Sequence, residues 1–89
     1  MHWYVYMVRC ADNTLYTGVT TDIARRLREH NGEVSRGAHY TLAKRPVALV
    51  YAETTDTRSH ALKREAEIKK LSKKQKELLI SAFSPQLDT

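Results

Sequence analysis

The stretch Tyr16–His30, Tyr-Thr-Gly-Val-Thr-Thr-Asp-Ile-Ala-Arg-Arg-Leu-Arg-Glu-His, constrains this chain most, because it must change from strand to helix within a few residues. Leu15, Thr17 and Val19 alternate with Tyr16, Gly18 and Thr20, in the period of two that a pleated strand imposes. Then the period changes. Thr21 or Asp22 can accept from the orphan N–H groups of a helix start, and Ile23 and Leu27, four apart, make a buried stripe. At about 100° per residue, Arg26 and His30 fall beside that stripe, while Arg25, Arg28 and Glu29 point elsewhere. One arginine and one histidine are therefore expected at the edge of the core. The other charges of this helix read as a solvated face.

A chain of 89 residues can build one small core, and the expectation is a single domain over residues 1–84 with a frayed tail at 85–89. No run approaches the ~18 apolar residues that a membrane-spanning helix needs, and the start does not follow a signal-peptide pattern. The single cysteine, Cys10, excludes an internal disulfide and fits the reducing cytoplasm; its expected place is a buried strand end. His2, His39 and His60 have no zinc-ligand spacing with it. A net charge of +5 and a pI near 9.6 favour a polyanionic partner, most simply nucleic acid.

The remaining elements follow from pattern. Trp3, Val5 and Met7 alternate with Tyr4, Tyr6 and Val8, so residues 2–10 read as an inner strand covered on both sides. Ala11-Asp12-Asn13-Thr14 is a turn that closes a hairpin onto Leu15–Thr20, bringing Tyr6 and Tyr16 onto neighbouring strands in an open register. Asn31-Gly32 stops the first helix, and a short helix is expected near 33–37. Pro46 opens a third strand at Val47–Ala52. A helix over about Arg58–Leu71, entered from Thr54–Thr57, carries Ala61, Leu62 and Ile68 on its apolar stripe. Glu65 falls inside that stripe, whereas Glu67 falls on the far side among Lys63, Arg64 and Lys70. A carboxylate on a buried face is costly unless it is paired, hydrogen-bonded or bound to a cation. Ser72-Lys73-Lys74-Gln75 is a capping box for a last helix, packed down by Leu78, Leu79, Ala82 and Phe83.

Two strand tyrosines, an arginine and a histidine at the core edge, and one glutamate on a buried stripe are the parts that phosphodiester hydrolysis requires. A hydroxyl or imidazole positions and deprotonates water, an arginine supports charge developing on phosphate, and a carboxylate holds a divalent cation. Their spacing carries a resemblance. Tyr4-Val5-Tyr6, Tyr16-Thr17-Gly18 ten residues beyond Tyr6, then Arg26, His30 and Glu65, resemble the GIY-YIG nuclease superfamily across residues 3 to about 70. The likeness is to the small, single-domain bacterial branch. Tyr4 stands where the family has the glycine of its first triplet, and Thr17 where it has the isoleucine of its second; both are framework positions. Residues 72–89 offer no match for the asparagine that some members use.

The resemblance implies an α+β fold, a three-stranded antiparallel sheet flanked by helices in the order β-β-α-(α)-β-α-α. It implies that Tyr6, Tyr16, Arg26, His30 and Glu65 share one surface. The expected activity is divalent-metal-dependent endonuclease cleavage of DNA. Tyr16, aided by Tyr6 and His30, would orient and activate water, Arg26 would contact the scissile phosphate, and Glu65 would hold Mg²⁺ or Mn²⁺. His30 has a second reading, a cation at a helix C-terminus, and Glu65 has another, a structural pair with Arg26 or Arg64. Arg36, His39, Tyr40, Lys44, Arg45, Lys69 and Lys73 are candidate nucleic-acid contacts, and the lysine run near 69–76 is equally an ordinary solvated face. Arg64 reads as solvated or as a backbone contact. No base-reading motif is apparent, so RNA, a protein partner supplying specificity, and a binding module with little turnover all remain open. Oligomeric state is unreadable.

Overall fold

Trp3–Arg9 forms strand β1, and its two apolar sides organise everything else. In the computed structural model, which describes residues 2–32 and 44–83, β1 is the middle of a three-stranded antiparallel sheet of order β2-β1-β3. Strand β2 is Leu15–Thr20 and β3 is Ala48–Thr55. Val5 and Met7 pack on Ala61 and Ile68 of α2 (Arg58–Lys69), with Leu79 and Ile80 of α3 (Lys73–Ala82) beside them. Tyr6, Val8 and Cys10 form a second cluster with Val47, joined by Ile23 and Leu27 of α1 (Ile23–His30). Helix α1 therefore covers one face of the sheet, and α2 and α3 cover the other. This is the expected α+β architecture. The expected short helix near 33–37 and the tail at 85–89 lie outside the described residues.

The hairpin turns on Asn13, whose φ of 71° is left-handed, and on the Asp12 carboxylate, which accepts from Thr14 N at 3.1 Å and Thr14 Oγ1 at 2.6 Å. It sets the register that pattern left open. Tyr6 faces Gly18 and Val8 faces Tyr16, so both tyrosines lie on the α1 side of the sheet. Helix α1 starts at Asp22, which accepts from Arg25 N at 3.0 Å, and ends through Asn31 into Gly32 at φ 77°. The Asn31 amide then donates to Val47 O at 3.2 Å and accepts from Val47 N at 2.7 Å, tying the helix end to the approach of β3.

Several features depart from the pattern-based reading. Strand β3 continues to Thr55, because Glu53 sits opposite Val5 on an edge strand and its carboxylate is satisfied by Arg64 at 3.1 Å and by Tyr51. Arg64 is accordingly no solvated charge: it turns toward β3 and also pairs with Glu67 at 3.1 Å. Helix α2 ends at Lys69, two residues early, and Leu62 on its expected stripe is 36% exposed. Leu78 and Ala82 of α3 point outward; Leu79 and Ile80 do the packing, and the Phe83 ring meets Tyr51 at 5.7 Å between centroids.

Candidate active site

Tyr6, on the middle strand, is buried, and its hydroxyl lies 2.9 Å from Nε2 of His30, a fully buried residue on the last turn of α1. Arg26, one turn earlier, donates from Nε to the same hydroxyl at 3.4 Å. One proton lies between the Tyr6 oxygen and His30 Nε2, and the imidazole tautomer sets which of the two donates it. Burial pushes the Tyr6 phenol up to about 12, with Tyr16 and Glu65 adding to the rise and Arg26 opposing it. Burial, helped by the Arg26 charge, pushes His30 down to about 4. Both groups are neutral near pH 7. His30 is thus no cation at the helix end. Arg45 takes that place, donating from Nε to the His30 carbonyl at 2.8 Å.

Gly18 lets the two tyrosines meet. A Cβ there would lie 2.8 Å from Tyr6 Oη and 3.2 Å from Tyr16 Cε2, so any other residue would force the Tyr6 hydroxyl to shift and crowd the Tyr16 ring. As it stands, Tyr6 and Tyr16 are 6.5 Å apart between centroids, and Tyr16 lies edge-on to His30 at 5.1 Å.

Glu29, expected on a solvated face, is buried, and the correction has a local cause. Its Oε1 accepts from Arg26 Nη1 at 2.7 Å and its Oε2 pairs with Arg25 Nε at 3.3 Å, so each carboxylate oxygen is answered by a guanidinium. Arg26 holds this carboxyl below the usual range. Glu29 and Tyr6 together fix the guanidinium of Arg26, whose side chain remains 31% exposed beside a cleft of about 210 Å³ lined by Thr20, Thr21, Asp22 and Arg25. Sequence reasoning missed Glu29 and the packing role of Gly18. The signal for the first was present: arginines three and four residues ahead of a glutamate share a helix face.

Glu65 lies on α2, across the sheet from α1, and does not enter this hydrogen-bonded group. Its partner is neither Arg26 nor Arg64 but Lys69, at 3.2 Å, and its side chain is 19% exposed. It reaches Tyr6 through its charge, which contributes to raising that phenol. Glu67 is 56% exposed and pairs with Arg64. A second cleft, about 250 Å³, runs along β2 between Tyr16 and α2, lined by Leu15, Tyr16, Thr17, Lys69 and Lys76.

Of the candidate nucleic-acid contacts, Lys44 is held by Asp12 at 3.2 Å, and Lys73 donates to the Asn13 carbonyl at 2.6 Å. Arg36, His39 and Tyr40 fall outside the described residues. Among the described residues no helix is long and apolar enough to cross a membrane.

An α+β sheet with paired tyrosines over a helix that presents an arginine defines a class of catalytic module. Residues 2–78 match the GIY-YIG catalytic domain, and the chain belongs to that family. Its relatives carry the name UPF0213. One from Desulfotalea psychrophila is 58% identical over 80 residues, covering 90% of this chain and 72% of the relative. Another, from Staphylococcus saprophyticus, is 53% identical over 78 residues, covering 88% and 93%. Two solution NMR structures share the fold. A protein from E. faecalis is 44% identical with a TM-score of 0.63, covering 100% of this chain and 93% of that one. A UPF0213 protein from Bacillus halodurans is 37% identical with a TM-score of 0.60, covering 97% and 89%. Family membership implies nuclease-type chemistry on nucleic acid.

Proposed function

We propose that this chain is a divalent-cation-dependent endonuclease that hydrolyses DNA phosphodiester bonds. The observation that carries the reading is the hydrogen-bonded arrangement of Tyr6, His30 and Arg26, with Tyr16 packed against it through Gly18. A neutral imidazole and a neutral phenol, each far from titrating near pH 7, hold geometry rather than exchange charge. Tyr16, which lines the open cleft, is left to orient the attacking water, with Tyr6 and His30 behind it. Arg26 is anchored on one side and open on the other, so it meets the scissile phosphate without having to be ordered first.

Glu65 is the carboxylate that would hold Mg²⁺ or Mn²⁺. Among the described residues no group of three or more His, Cys, Asp or Glu side chains gathers around a metal-sized position. One carboxylate is sufficient for Mg²⁺, which keeps several waters and takes its other ligands from phosphate oxygens. The partner that Glu65 now has is a lysine whose side chain is 55% exposed, a pairing worth only about 0.3–0.5 kcal/mol and easily exchanged. When bound, such a cation would supply positive charge at the leaving 3′ oxygen.

A cleavage screen tests this reading. Duplex, single-stranded, flapped and branched DNA, and RNA, are each incubated with Mg²⁺, Mn²⁺ or EDTA. Cutting of DNA that needs the cation is the expected result. Binding without cutting on every substrate would make this a nucleic-acid-binding module instead.

A further inference from the structure

Among the described residues, none that lines the cleft along β2 is a carboxylate. Its walls are Leu15, Tyr16 and Thr17 on one side and Lys69 and Lys76 on the other, whereas the cleft beside Arg26 sets Asp22 and Glu29 against its two arginines. Lys76 is its distinctive member. Lys44, Lys69 and Lys73 each have a carboxylate partner, and the exposed lysines of α2 and α3 need none. Lys76 is half-buried and makes no ion pair among the described residues. A lysine with a half-buried stem beside an apolar wall, and no ion-pair partner among the described residues, is a place for an anion from outside. Two neighbours tie the cleft to the site: Tyr16 belongs to the tyrosine pair, and Lys69 holds Glu65. At about 250 Å³ it is smaller than the ~300–1,000 Å³ that encloses a drug-sized molecule, and it lies open along a sheet edge, so it suits part of a polymer rather than a free small molecule.

We propose that this cleft is a nucleic-acid subsite. It takes the sugar and phosphate next to the one that is cut, with the sugar against Leu15 and Thr17 and the phosphate oxygens on Lys76, flanked by Lys69. The assignment of which phosphate is the neighbour rests on the endonuclease reading; the binding does not. The contact lies away from the reacting atoms, so it forms equally in the ground and transition states. Lys76 therefore sets affinity and register, and the chemistry belongs to other residues.

The test compares the wild type with Lys76→Gln and with Lys74→Gln, an exposed lysine on the same helix. Binding of a labelled 20-mer duplex is measured by fluorescence anisotropy in EDTA over a series of salt concentrations. Losing one phosphate contact lowers the salt slope by about 0.9 and weakens binding about tenfold near 0.1 M salt. Lys76→Gln is expected to show both, and Lys74→Gln less than about a twofold change. Melting temperatures of both variants stay within about 2 °C of wild type, since neither lysine makes an ion pair among the described residues. In cleavage with Mg²⁺, Lys76→Gln raises KM and leaves kcat unchanged. Wild-type affinity and slope in Lys76→Gln, or equal losses in the two variants, overturn the subsite. A wild type that binds with this lysine dependence but cuts nothing removes the endonuclease reading and leaves the subsite. A wild type that cuts, with an unchanged KM in Lys76→Gln, does the reverse.

Discussion

Two helices each offer a glutamate to this molecule, and they hold it in opposite ways. On α1, Glu29 is clamped by Arg26 at 2.7 Å and Arg25 at 3.3 Å and is buried. On α2, Glu65 has one lysine at 3.2 Å, on a flexible and exposed stem. Planar guanidinium groups match a carboxylate and stay in place; an ammonium is a point charge on a mobile chain. Glu29 therefore serves to fix Arg26, and with it Tyr6, before any ligand arrives. On the proposed reading, Glu65 keeps a partner that a divalent cation would replace. The α1 glutamate is held by two guanidiniums and the α2 glutamate by one exposed lysine, the difference that the proposed positioning and cation-binding roles demand.

The largest expected effect separates the two glutamates. Glu65→Gln should reduce metal-dependent cleavage about 1,000-fold, several kcal/mol of lost cation assistance, while its melting temperature barely moves. Glu67→Gln should retain activity. Glu29→Gln should do the opposite of Glu65→Gln in the stability assay, losing about 1.5–3 kcal/mol because the half-buried Arg26 loses its charged hydrogen-bond partner. Cleavage assays and thermal melts on the same three variants measure both. Similar melting losses in Glu65→Gln and Glu29→Gln would erase the distinction.

Next in size is Arg26→Ala, expected to lower cleavage per folded molecule about 100-fold, against little change in Arg28→Ala, an exposed residue of the same helix. Kinetics normalised to the folded fraction check this. Equal losses would mean that only net positive charge matters.

The smallest effect is a pH dependence confined to the α1 side. His30 titrates at about 4 when folded and near 6.5 when unfolded. Between those values the unfolded chain binds a proton that the folded chain refuses, so stability is complete above about 6.5 and falls as pH drops toward about 4. The slope from this one group is at most about 1.4 kcal/mol per pH unit. Denaturant melts from pH 7 to 4.5 should show that fall in the wild type and in Glu65→Gln, and less of it in His30→Gln. An identical fall in His30→Gln would place the acid sensitivity elsewhere.

Periodicity made much of this visible in advance. A period of two along residues 3–9, giving way to a helical stripe at Ile23 and Leu27, is a local property, and it placed Arg26 and His30 at the core edge, although His30 proves fully buried. The capping box at Ser72 and the turn at Asp12 and Asn13 were legible for the same reason. What pattern missed was decided by contacts between distant residues or by the partners of charged groups. Glu53 closes β3 with Arg64, eleven residues away on another element. Arg45 caps a helix that ends fifteen residues earlier. A helical wheel ranks Glu29 by direction alone, and burial followed from its two arginines instead. The candidate site was legible as a set of residues. That Tyr6, His30 and Arg26 bond to one another, while Glu65 bonds to Lys69, required the register and the packing.

The central claim, that Glu65 exchanges Lys69 for a divalent cation, is tested most directly by Mn²⁺ binding to the intact chain without nucleic acid, followed by electron paramagnetic resonance. The account predicts weak binding that Glu65→Gln removes, that Glu67→Gln retains, and that Lys69→Gln strengthens, because the competing ammonium is gone. Unchanged Mn²⁺ binding in both Glu65→Gln and Lys69→Gln would contradict it.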